Sequence, residues 1–202
     1  MGQLAGLLAQ ADSLAQQVVV AAIRNLTEAE RRYLSVIQRE ATAQGVEATL
    51  IMAHVVRESS FNHLATHRDV DGGMSYGLMQ LRLETARELV RNPKLPPEVL
   101  FNPDLNVQLG TRYIAKQLAR YGGSYPDAIA AYNAGTARRD SLGRYVNSRG
   151  VPNVQAYVDG VLAALVLYRQ GLSAVKGGLG GPSRAWVWAA GAGVLVLGAV
   201  VM

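Results

Sequence analysis

Apolar residues near the start of the chain recur at helical spacing. Leu4, Leu7, Leu8, Ala11, Ala15, Val18, Val19 and Ala22 alternate with Gln10, Asp12, Gln16 and Gln17, the pattern of an amphipathic helix. Such a helix either covers a core or lies on a membrane or partner. Thr27 followed by Glu30 matches a capping box and opens a helix to about Gln44, where Gly45 supplies a stop. A second helix is expected over 46–57. The next stretch, 59–75, contains Asn62, Asp69, Asp71, Gly72 and Gly73 without a sustained period. It reads as a long loop, of the kind that usually carries function in a compact domain. Further helices are expected at 83–91, 104–121, 126–134 and 153–170, with Ser124 and Asn153 as caps and Pro126 early in its helix. A short strand fits only inside the loop, and no internal repeat is visible. The expected architecture is all-α.

The last 18 positions, 185–202, carry no charge, which is just enough for a membrane-spanning helix. Trp186 and Trp188 would mark its interface, with Lys176 and Arg184 outside. A Gly-rich stretch at 177–182 separates this segment from the rest, as a linker does. Ala185, Ala189 and Gly193 form a small-residue stripe through which two such helices could self-associate. The chain therefore divides into an N-terminal amphipathic helix (1–26), a catalytic domain (27–172), a linker (173–184) and a transmembrane anchor (185–202). No basic residue precedes Arg24, so a secretory signal is not expected at the N-terminus.

Composition narrows the chemistry. Cysteine is absent from the 202 residues, which excludes disulfides, thiol nucleophiles and thiolate metal sites. The net charge of +5 suits an anionic partner such as acidic lipid or the bacterial wall. Few aromatics and no long basic run argue against nucleic acid. His63 and His67 stand four apart, but the glutamate of a zinc-protease helix is missing between them, so neither metal nor cofactor is expected.

The second helix ends in His-Val-Val-Arg-Glu-Ser-Ser-Phe-Asn, which sets Glu58 where an apolar helix meets an irregular loop. Desolvation there can raise a carboxyl pKa. Three segments follow in order: Glu58 to Asn62 (ESSFN), Gly77 to Gln80 (GLMQ) and Ala131 to Gly135 (AYNAG). Together with Thr85-Ala86, Asn102-Pro103, Asn106, Gly110 and Tyr113, they resemble the successive motifs of the soluble lytic transglycosylase family across about residues 45–170. The resemblance implies a lysozyme-like helical domain whose groove takes the glycan strands of peptidoglycan. It also implies cleavage of the β-1,4 bond after N-acetylmuramic acid, with a 1,6-anhydro ring as product.

That chemistry requires one carboxyl group, Glu58, to act first as acid and then as base. A single carboxylate suffices where the substrate's acetamido group stabilises the cation. By resemblance, Tyr132 and Ser59 orient Glu58, Gln80 and Asn133 bond the sugars, and Met79 packs beneath their rings. The family's last motif is matched by Tyr157-Val158, with Asn153-Val154 where many members carry Glu-Thr. Tyr157 joins the substrate-binding set on this basis.

Asp71 keeps an alternative open. It stands 13 residues after Glu58 and six before Gly77, as an aspartate of goose-type lysozymes does. Such a group activates water in an inverting hydrolysis if it lies roughly 6.5–9.5 Å from the acid. The second goose-type aspartate is replaced by Arg82, which favours the transglycosylase. A non-catalytic wall-binding protein is the third possibility. The apolar tail without a signal sequence fits a phage virion protein that opens the host envelope during genome ejection, in contact with other virion proteins.

Overall fold

The computed structural model describes residues 25–69, 72–150, 153–171 and 174. The expected helix at 4–23 and the apolar tail at 185–202 lie outside them. Among the described residues no helix is long and apolar enough to cross a membrane.

Helix α1, Glu28–Gln44, begins at the expected capping box. The Thr27 hydroxyl accepts from the Glu30 amide at 3.2 Å, and Glu30 accepts from the Thr27 amide at 2.6 Å. Gly45 ends the helix at φ 64°, a left-handed conformation that glycine adopts without steric cost. Helix α2, Ala48–Ser59, buries Leu50 to Val56 on every side. A helix apolar all round belongs at the centre of a fold, and α1 and the last helix, α6 (Asn153–Arg169), pack against it. Between them, α3 (Leu83–Val90), a short 3-10 turn (Pro97–Phe101), α4 (Pro103–Arg120) and α5 (Tyr125–Ala134) complete the helices of the described residues. Asn102 caps α4 by accepting from the Leu105 amide at 3.0 Å, and Ser124 caps α5.

The expected all-α architecture needs one correction. Three short strands, β1 (Thr66–Arg68), β2 (Met74–Tyr76) and β3 (Leu81–Arg82), form an antiparallel sheet. Thr66 pairs with Tyr76, and Tyr76 pairs with Leu81. Strands of two or three residues are too short to show a two-residue period above turn composition. The fold is mostly helical, with this small sheet beside one end of α2.

The turn between β2 and β3 is Gly77-Leu78-Met79-Gln80, and it faces inward. Leu78 and Met79 are wholly buried. The Asn106 side chain of α4 clamps the turn, accepting from the Met79 amide at 2.8 Å and donating to the carbonyls of Tyr76 and Leu100. A Cβ on Gly77 would stand 2.4 Å from Asn106 Nδ2 and from the Leu100 carbonyl, and φ there is +77°. A Cβ on Gly110 would stand 2.3 Å from Met79 Sδ. Both glycines are therefore places where backbone and turn meet too closely for any side chain.

Candidate active site

Helix α2 stops abruptly after Ser59, one residue past Glu58. Ser60 and Phe61 both take positive φ, 51° and 64°, a strain of about 1–3 kcal/mol each that is typical of functional sites. Burial of the Phe61 ring, 4% exposed and stacked on Tyr33, offsets that strain. The reversal leaves Glu58 lining a cleft of about 1030 Å³, walled by α2, the sheet, α5 and the loop around Asn147 to Arg149.

Burial is the largest influence on Glu58 and pushes its carboxyl up to about 7. A hydrogen bond donated by Tyr157 and the charge of Arg57 act in the opposite direction, and Asp69 adds to the rise. Tyr157 Oη donates to Glu58 Oε1 at 2.5 Å, from the facing helix α6. Desolvation and the Glu58 charge push the phenol well above its ordinary value, so it stays a proton donor. One turn before Glu58, His54 Nδ1 lies 3.2 Å from the same phenol oxygen.

The other wall is polar and internally paired. Asp69 accepts from the Ser75 hydroxyl at 3.2 Å and faces Arg82 Nε at 3.7 Å, with Glu84 at 3.5 Å from the same nitrogen. Gln80 sits at φ 43° and donates to the carbonyls of Ala65 and Gly77, which fixes its amide at the cleft floor. Asn133, Tyr113 and Tyr132 line the α4–α5 side. A neutral, partly dry carboxylic acid in a groove with amide and hydroxyl groups can protonate an oxygen of a bound polar substrate.

A family model of the transglycosylase SLT domain matches residues 35–154. The chain belongs to the SLT transglycosylase family. Over 123 residues this SLT domain is 32% identical to the membrane-bound lytic murein transglycosylase C of Serratia proteamaculans, covering 55% of this chain and 33% of that protein. The protein of the same name from Yersinia pestis is 31% identical over the same length and coverage. Among solved structures, an inactive mutant of the lytic transglycosylase Slt of Pseudomonas aeruginosa superposes with a TM-score of 0.55 at 30% identity, over 67% of this chain and 24% of that one. The 70-kDa soluble lytic transglycosylase in complex with bulgecin A gives 0.57 at 27% identity, over 68% and 24%. The SLT domain thus spans about a third of the length of the curated relatives and a quarter of the solved chains.

Several expected site residues meet in the cleft of the SLT domain: Glu58, Ser59, Gln80, Tyr132, Asn133 and Tyr157 all line it. Their contacts differ in three places from the expectation. Tyr132 Oη donates to the Met79 carbonyl at 2.8 Å, and the hydroxyl that reaches Glu58 is that of Tyr157. Ser59 Oγ donates to the Leu78 carbonyl at 2.8 Å and to Val55, joining α2 to the sheet turn instead of touching the carboxylate. Met79 is wholly buried against Gly110, so its side chain supports the floor and does not meet the groove. Asp71 lies outside the described residues.

The histidines separate as well. His67 is on β1 and lines the cleft, whereas His63 Nδ1 meets the Tyr33 hydroxyl at 3.1 Å. Spacing of four brings two side chains together only on a helix, and this stretch is turn and strand. Sequence reading missed Asp69, the clamp role of Asn106 and the contact of His54 with Tyr157. His54 carried a usable signal, an imidazole on an apolar helix one turn from the candidate acid.

Proposed function

We propose that this chain is a peptidoglycan lytic transglycosylase that cleaves the β-1,4 bond between N-acetylmuramic acid and N-acetylglucosamine and leaves a 1,6-anhydro end. The observation that carries this reading is Glu58, which lines the cleft with the Tyr157 hydroxyl donating to its carboxyl at 2.5 Å, where burial pushes that carboxyl up to about 7. In the first step the carboxylic acid gives its proton to the glycosidic oxygen as the bond from muramic C1 to that oxygen breaks. The acetamido group of the same sugar stabilises the cationic centre. The Glu58 carboxylate then takes the proton of the C6 hydroxyl while O6 bonds to C1, so the acid is regenerated and no water is consumed. Gln80 and Asn133 supply amide groups to the sugars, and Tyr157 orients the acid.

The solved relative from Pseudomonas aeruginosa is an inactive mutant in which glutamine replaces a glutamate, in keeping with a glutamate-dependent reaction. Digestion of purified peptidoglycan followed by mass analysis is the test. Anhydro-muropeptides from the wild type, and none from Glu58→Gln, are the expected result. Reducing muramic ends alone would overturn the transglycosylase reading in favour of a hydrolase, and binding without cleavage would favour the wall-binding reading.

The same proposal holds the enzyme at the bacterial envelope through residues 185–202, supported by 18 uncharged positions that include Trp186 and Trp188 near one end, with Arg184 just outside. Flotation with anionic lipid vesicles by the full chain, lost on deletion of 185–202, is expected. Delivery by a phage particle is the finer part of the proposal, and finding the protein in purified virions is its test.

A further inference from the structure

His54 is wholly buried on α2, does not line the cleft, and has no part in the reaction as written. Its ring lies 4.7 Å from that of Tyr132, and Nδ1 is 3.2 Å from Tyr157 Oη, the oxygen whose proton goes to Glu58 at 2.5 Å. Residues 54 and 58 share one face of α2, so a single phenol spans both. Nε2 is buried with no hydrogen-bond partner.

We propose that His54 is a positioning residue for the reaction, fixed as the Nδ1–H tautomer, whose donation to Tyr157 commits the phenol proton to Glu58. The tautomer follows from Nε2. As a bare lone pair there it leaves an acceptor unsatisfied, whereas as N–H it would leave a buried donor unsatisfied, which proteins tolerate less well. With Nδ1–H donating, the phenol oxygen is occupied and its own hydrogen has Glu58 as its acceptor. Each bond in such a chain strengthens the next. Burial pushes the imidazole down to about 3, so it stays neutral wherever Glu58 titrates. This inference rests on the proposed role of Glu58 and adds to it a residue that touches no substrate.

The charged and titratable groups that act on Glu58 are Arg57 on its own helix, Tyr157 on α6 and Asp69 beyond β1, and Glu58 in turn acts on Tyr132 of α5. His54 acts through Tyr157 alone. The reaction needs protonated Glu58 first, so wild-type kcat falls as pH rises above about 7. In His54→Leu the phenol donates less firmly, the carboxylate is less favoured, and that alkaline limb moves up by about half a pH unit. The same variant loses about tenfold in kcat with KM unchanged. Asparagine offers an N–H near the position of Nδ1, so His54→Asn restores both limb and kcat. Tyr157→Phe reproduces the shift, and adding His54→Leu to it moves the limb no further.

The experiment is the pH profile of kcat and KM on purified peptidoglycan for the wild type, the His54 and Tyr157 variants, and Glu58→Gln. A nitrogen NMR measurement on the wild-type full chain accompanies it, because His54→Leu leaves a cavity and is open to misfolding. Protonated Nδ1 and bare Nε2 from pH 5 to 8 are expected, and an Nε2–H signal overturns the proposal. So does a folded His54→Leu with the wild-type limb, or one that His54→Asn does not rescue. If Glu58→Gln keeps activity, the reading of Glu58 fails. If Glu58→Gln is inactive but His54→Leu behaves as wild type, the positioning role alone fails.

Discussion

Burial and charge act in opposite directions on two glutamates of this chain. Glu58 is held up at about 7 chiefly by desolvation, whereas Glu47 is held down at about 2 chiefly by the hydrogen bonds of Arg169. For Glu58 the folded value lies above the ordinary one near 4.5. Below that ordinary value folded and unfolded chains both carry the proton. Between there and about 7 only the folded state does, so stability declines across this window and then levels off. Glutamine mimics the protonated form. Glu58→Gln should match the wild type in thermal unfolding at pH 4 and exceed it at pH 8 by about 2 kcal/mol, allowing for screening at the partly exposed carboxyl. Equal stability at pH 8 would mean that Glu58 is not desolvated. Tyr132→Phe removes only the bond to the Met79 carbonyl. It should cost about 1 kcal/mol of stability and leave the alkaline limb of activity in place, as a pH profile beside that of Tyr157→Phe would show.

The turn between β2 and β3 is where sequence and structure diverge most instructively. Asn106 makes three bonds to it, to Met79, Tyr76 and Leu100. Asn106→Ala would strand a buried amide and two carbonyls and should cost about 3 kcal/mol in denaturant unfolding. Gly77→Ala should do at least as much damage, since its Cβ would meet both Asn106 and a carbonyl. The helices were legible because capping residues and a 3.6-residue period are local: the Thr27 and Glu30 box and the Gly45 stop fell where expected. The sheet was legible only as room for a short strand inside the loop, because its strands are held by register and by Asn106 from a distant helix, neither of which leaves a local period. The positions of Glu58, Gln80 and Asn133 at the cleft could be anticipated from the motifs. The exchange of partners between Tyr132 and Tyr157 could not, since it depends on how α5 and α6 pack against α2.

Across the whole molecule, the first and last described helices are fastened to each other. Tyr168 Oη donates to the buried Glu30 carboxylate at 2.7 Å, and Arg169 contacts both oxygens of Glu47, at 2.8 and 2.5 Å, at the start of α2. Because the folded Glu47 value is depressed, its contribution is present above the ordinary carboxylate range and fades as pH falls toward 2. Glu47→Gln should therefore lower the melting temperature at pH 7 and leave it unchanged near pH 2. A difference that persists in acid would mean that the pair acts through packing.

Helix α6 also brings Tyr157 to Glu58, which sets an order of events during synthesis. A nascent chain released only as far as α5 already contains Glu58 but lacks the phenol that donates to it and the helix that helps to bury it. On the proposed function, cutting power arrives only with that helix, so a chain clipped before α6 should leave peptidoglycan uncleaved in a digestion assay.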